Sequence, residues 1–232
     1  MTDQRLREAE RLARACPSLE SEAALLHERL RAGTLSLERL ELAAYCGHEG
    51  ALAIVPRPKG APSDCGLCHG HPDGILVMHA ATSGLPPWTR YPCEHELAPW
   101  VQGLDLWGHG CVVRAAIAAA RFWASWGPEH QSRSRDPRVV LSLKDLDEWE
   151  QTGHLVGDRP FAFPWHTLPS WEPVRQAWLM AHDGGTVERR ADSAHAMAAI
   201  MASAESCGEA PVRAAIQSTL ISWALGSQGQ GF

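Results

Sequence analysis

Tyrosine and phenylalanine are scarce in this chain, at two and four residues against ten tryptophans. Bulky indoles must therefore fill the gaps between its elements. An excess of basic charge is missing as well. The 21 Lys and Arg face 27 Asp and Glu, a formal charge of -6 that argues against a general nucleic-acid binder with a basic face. Arg133, Arg135 and Arg138 cluster locally, but Asp136 interrupts them, and a solvated loop is expected there. Long apolar runs are absent too. Residues 111–126 come nearest to the ~18 uninterrupted apolar residues of a membrane span, and Arg114 and Arg121 break them. The first ten residues are charged and helical in pattern, with no apolar core of a secretory signal. The expectation is a cytoplasmic protein whose seven cysteines stay reduced unless a metal holds them. No nucleophile elbow, phosphate-binding glycine loop or metalloprotease helix is found.

What is present is mostly helix. A 45% hydrophobic and 21% charged composition over 232 residues excludes wholesale disorder and suffices for a real core. Leu6, Ala9, Ala13 and Cys16 form a helical stripe that Pro17 ends. Ser18 caps a second helix with Leu19, Ala23, Leu26 and Leu30 on one face, closed by Gly33. Ser36 caps a third, with Leu35 and Leu40 placed for a hydrophobic staple and Gly47 as its stop. A short helix over Glu49–Val55 ends at Pro56. The connections are short enough for antiparallel packing.

Helices return from about residue 109. They are expected over Val112–Trp126, over Leu143–Gln151 with Ser142 as cap, and from Ser170 with Pro173 in the first turn. A long helix after Thr186 carries Val187, Ala191, Ala194, Ala198 and Met201 on one stripe. The last runs from Pro211 to Leu225, followed by a Gly/Gln/Ser tail. Alanine is plentiful throughout, favouring helix and close approach between helices.

Between these regions, residues 56–104 carry eight prolines and frequent glycines, with only Ile75–Met78 patterned as a strand. So long an irregular stretch needs a cross-link to hold one shape. It contains the means for one. Cys65-Gly-Leu-Cys68 forms a knuckle that presents two thiolates to one ion, and Cys93 with His95 completes a tetrahedral zinc set. His69 and His71 compete with His95 for the fourth place. The surplus of ligands favours a closed structural site over an open catalytic one. Cys65-x-x-Cys68-His69 also matches the c-type haem pattern, but that attachment belongs to export compartments. A thioredoxin-like role lacks its strand–helix context.

Other polar residues read more plainly. Cys46 is expected as a small buried hydrophobe and His48 as a partner for a helix C-terminus. His182-Asp183 at a helix end and His166 in an aromatic loop are weak acid–base candidates, for which electrostatic and packing roles suffice. Catalytic residues are not identifiable.

Val113-Arg-Ala-Ala-Ile117 recurs unchanged as Val212-Arg-Ala-Ala-Ile216, with Val174-Arg-Gln-Ala177 as a weaker copy. Such recurrence suggests duplicated helix pairs in which each Arg reaches an acidic partner or a carbonyl. These segments, with Leu30–Ala51, resemble bacterial α-helical repeat proteins of the immunity type, loosely similar to tetratricopeptide and HEAT arrays. The likeness spans about two thirds of the chain. It implies an all-α scaffold with partner-binding surfaces and supplies no catalytic residue. The expected architecture is all-α: an N-terminal helical array (1–55), a zinc-binding loop insertion (56–104) and a C-terminal helical-repeat region (105–232). The expected function is non-catalytic binding of another protein, without membrane or nucleic-acid partners. The alternative is a zinc-dependent enzyme with its site between the Cys/His loop and the C-terminal helices.

Overall fold

The computed structural model describes residues 4–56, 58, 97–153, 172–183 and 189–226, with backbone alone for residues 172, 182–183 and 189–194. Eleven α-helices and no strand occur among the described residues, so the all-α expectation holds. None of these helices is long and apolar enough to cross a membrane. Residues 57 and 59–96 of the expected zinc-binding insertion, including the Ile75–Met78 strand, lie outside them, as do Ser170, Thr186 and the C-terminal tail, while Leu97–Gly103 at its end is a helix rather than the expected irregular stretch. The chain divides into two compact units, one of Met1–Glu96 with Leu220–Gly231, the other of Leu97–Thr219.

The first unit begins with α1 (Gln4–Ala15), ended by Pro17 as expected, since proline cannot continue the hydrogen-bond ladder. Ser18 caps α2 (Leu19–Arg31) in a reciprocal box: Ser18 Oγ accepts from Ser21 N at 3.1 Å, and Ser21 Oγ accepts from Ser18 N at 3.0 Å. Glu20 and Glu22 in the first turn and Arg29 and Arg31 in the last complement the helix dipole. Gly33, at φ +70, takes the left-handed conformation that turns the chain out of α2. Ser36 Oγ then accepts Arg39 N and opens α3 (Leu37–Tyr45). Leu35 and Leu40 are buried on either side of that cap, as a staple requires. Most of α3 is core: Leu40, Leu42, Ala43, Ala44 and Tyr45 are all buried.

The next cap corrects the sequence reading. The His48 backbone N–H does help close α3, donating to Ala43 O at 3.0 Å, but its side chain opens α4 (Glu49–Ile54), with Nδ1 accepting Ala51 N at 3.1 Å. That acceptor role puts the ring proton on Nε2, which faces Glu22 Oε1 at 3.3 Å. Cys46 is buried, as expected of a small apolar residue.

In the second unit, α5 (Leu97–Gly103) and a 3-10 turn (Leu104–Trp107) lead into α6 (His109–Ser125). This helix starts three residues before the expected Val112. It is buried on nearly all sides, with Ala115, Ala116, Ala119 and Ala120 fully enclosed. Small side chains let neighbouring helix axes come close. The neighbours are α9 (Glu172–Asp183) and α10 (Arg189–Cys207), which also pack on each other.

The expected loop around Arg133 is a helix, α7 (His130–Arg135), and its arginine has structural work. Arg133 donates to Trp123 O at 2.8 Å and Trp126 O at 3.2 Å, sealing the end of α6, and lies 4.4 Å from the Trp123 ring centroid. The following helix, α8 (Pro137–Thr152), begins six residues before the expected Leu143. Asp136 is its cap and Pro137 its first residue, whereas Ser142 is buried inside the helix.

Of the expected stripe after Thr186, Val187 and the side chains of Ala191 and Ala194 lie outside the described residues, and the remaining two positions are not the buried ones of α10. Ala198 and Met201 are only partly covered, and Ala196, Ala199, Ile200, Ser203, Ala204 and Cys207 face the core. The last helix, α11 (Glu209–Leu225), buries Val212, Ile216, Leu220 and Ala224 at successive four-residue steps. From Leu220 onward it belongs to the first unit.

Candidate functional site

Helix α1 is the least covered helix among the described residues of the first unit. Four arginines and two glutamates share its twelve residues with Leu6, Ala9, Leu12 and Ala13. Strong helix formers fill nearly every position, and the apolar spacing gives it one face. That face is turned to α2, yet no residue of α1 is buried. Leu6, Ala9 and Ala13 are half-covered, and Leu12 keeps 51% of its surface exposed. By contrast, α3 conceals two thirds of its length.

Beside α1 lies an open cleft of 660 Å³, with Leu6 and Ala13 from α1 and Leu25 from α2 as its apolar lining. Glu10, Arg14 and Arg29 supply its charge. The turn after α2 closes one end, where Thr34 N and Oγ1 both donate to Arg29 O, at 3.0 and 3.1 Å. A second, shallower depression follows α1 itself, lined by Arg7, Glu10, Arg11, Arg14 and Ala15. Glu10 and Arg14 belong to both, so the two form one continuous surface.

Arg29 is fixed from the other side. Its Nη1 donates to Leu225 O at 2.6 Å and its Nη2 to Gly226 O at 3.4 Å. The buried Arg39 joins it, donating from Nη2 to Trp223 O at 3.0 Å with its guanidinium 5.5 Å from the Trp223 ring centroid. The two cations thus cover carbonyls that the end of α11 leaves without intrahelical donors. Burial, and then the nearby Arg29 charge, lower the Arg39 pKa from its ordinary value.

Several other described polar side chains tie helices to one another or to themselves. The two Val-Arg-Ala-Ala-Ile segments each bury their Val and Ile, and each places its arginine 5.2 Å from an indole centroid: Arg114 at Trp149 and Arg213 at Trp100. The second alanine of the motif is buried in the first copy and only partly covered in the second. Arg121 pairs with Asp147 and with Glu150, bridging α6 and α8. Between α9 and α10, His195 Nδ1 and Gln176 Oε1 stand 2.5 Å apart. Cys111 is fully buried, and loss of hydration pushes its pKa far up, which makes it a poor nucleophile or metal ligand.

The expected zinc ligands Cys65, Cys68, Cys93 and His95, and the competing His69 and His71, lie outside the described residues, as does His166. His182 and Asp183 end α9, where the backbone alone is described. Among the described residues, no group of three or more His, Cys, Asp or Glu is placed to hold a metal. The cleft was not singled out from the sequence. Its signal was the spacing of Arg7, Arg11 and Arg14, which puts three cations along one side of an otherwise amphipathic helix. No family model, curated protein or solved structure matches the chain.

Proposed function

We propose that this chain is a non-catalytic interaction protein of the immunity type, built on a helical-repeat scaffold and binding another protein through the surface of α1 and its cleft. The observation that carries the reading is the incomplete burial of α1. An amphipathic helix gains its stability from packing its apolar face. Here that face is half-covered, and Leu12 adds exposed apolar surface beside it. Fully burying an exposed leucine contributes about 1.5–3 kcal/mol, and a partner that covers the remaining 51% of Leu12 can still supply roughly half of that. In this account the proline-rich insertion is held by a structural zinc on Cys65, Cys68, Cys93 and His95, keeping one shape beside the helices.

The test is site-specific photo-crosslinking in the native host, with the photoreactive side chain at Leu12 and, as a control, at the exposed Leu106 of the second unit. One discrete adduct from Leu12 and none from Leu106 is expected. Equal, diffuse labelling from both would overturn the reading.

A further inference from the structure

Resting on that reading of α1 as a protein-docking surface, we infer that the partner presents an acidic segment with interspersed apolar side chains, seated along α1 and in its cleft. The charge of the surface carries this. The chain as a whole is acidic, at -6, yet α1 holds four arginines against two glutamates. Arg7, Arg11 and Arg14 recur at steps of four and three residues, so they share one side of the helix. All three are exposed, and all three line the shallow depression that runs into the cleft. A carboxylate-bearing segment meets bidentate donors along that side.

The cleft adds a requirement that charge alone does not. Its floor is Leu6, Ala13 and Leu25, each half-covered, and a 660 Å³ space accepts a large apolar side chain. The occupant therefore needs both characters, negative along the arginine row and apolar where the cleft opens. Nucleic acid fits this surface less well. Glu8 and Glu10 stand among the arginines, Glu8 lies 3.8 Å from Arg11, and Glu10 lines both depressions. A phosphate backbone would meet those carboxylates, whereas a mixed peptide can place an apolar or amide side chain opposite them.

Fluorescence anisotropy on the full chain tests the inference with four labelled probes: repeated Glu-Glu-Leu, repeated Gln-Gln-Leu, repeated Glu-Glu-Gly, and single-stranded oligo-dT. The Glu-Glu-Leu peptide is expected to bind at least ~10-fold more tightly than the other three, and more weakly at about 0.5 M than at about 0.1 M salt. Arg14→Glu is expected to cost that peptide ~10-fold or more in affinity, and Arg14→Gln to cost part of it, with unchanged helicity by circular dichroism. Equal binding of the charged and neutral peptides, tighter binding of oligo-dT, or indifference to both Arg14 variants would overturn it. The two readings fail separately. A discrete Leu12 adduct without preference for the Glu-Glu-Leu peptide leaves α1 a docking surface for a partner of other chemistry. Loss of the adduct removes the docking surface itself.

Discussion

Arg39 offers the sharpest test of how the first unit is held together. The residue is buried, at 5% exposure, and its guanidinium donates to Trp223 O at 3.0 Å while facing the Trp223 ring at 5.5 Å. A hydrogen bond from a charged group contributes about 1.5–3 kcal/mol, and a partly desolvated cation over an indole about 0.5–2 kcal/mol. Opposing these are the hydration lost by the cation and the repulsion from Arg29, the two causes that lower its pKa. The expected net cost of Arg39→Ala is about 2 kcal/mol, felt in the last turns of α11 where the carbonyl loses its donor. Hydrogen exchange read by mass spectrometry is the suitable assay, because two units need not unfold as one. Amides over Leu220–Leu225 should exchange ~30-fold faster in Arg39→Ala, with Arg39→Lys intermediate because lysine lacks the planar fork. Arg31, which pairs with Glu28 on the exposed side of α2, is the control. If Arg31→Ala accelerates the same amides as much, or Arg39→Ala leaves them unchanged, the clamp is not what holds this helix end.

Other substitutions read single devices. His48→Ala removes the cap of α4 and should cost about 1 kcal/mol in denaturant midpoint analysis, with His48→Ser recovering most of it. Gly33→Ala meets no atom within 4 Å, so its cost of about 1 kcal/mol should be backbone strain alone, visible as a lower melting temperature without altered far-UV signal. The Asp136 carboxyl, held below the usual carboxylate range chiefly by its hydrogen bonds with the Arg138 side chain, contributes stability above about pH 4 that is lost as pH falls through its depressed value. Asp136→Asn should flatten that acid limb in urea titrations at stepped pH. Cys111 behaves oppositely. Its raised pKa keeps it protonated when folded, so above about pH 8.5 the unfolded chain alone loses the proton, and stability should fall by up to ~1.4 kcal/mol per pH unit. Cys111→Ala should remove that alkaline slope relative to its own value at neutral pH.

Local chemistry was the legible part of this fold. Ser18, Ser36, Pro17 and Gly33 act within a turn of themselves, and each delimits a helix where the sequence places it. Reading failed where two local signals competed or where all faces looked alike. Ser142 was a plausible cap, but Asp136 followed by Pro137 is the stronger start, and Ser142 became a buried helical residue. In α10 alanines occur all round the helix, so its period did not reveal that Ile200, rather than Met201, faces the core. The arginine–indole contacts were illegible for another reason. Arg39 and Trp223 are 184 residues apart, and nothing in either neighbourhood names the other. The arginine row of α1 was visible as charge, but its meaning needed the cleft beside it.

Native mass spectrometry of the tagged chain isolated from its own host reads zinc and partner in one spectrum. The expected species is the chain bound to a second, different polypeptide, carrying a single zinc that Cys93→Ala abolishes. A spectrum of the bare polypeptide, with neither partner nor stoichiometric zinc, would contradict that expectation.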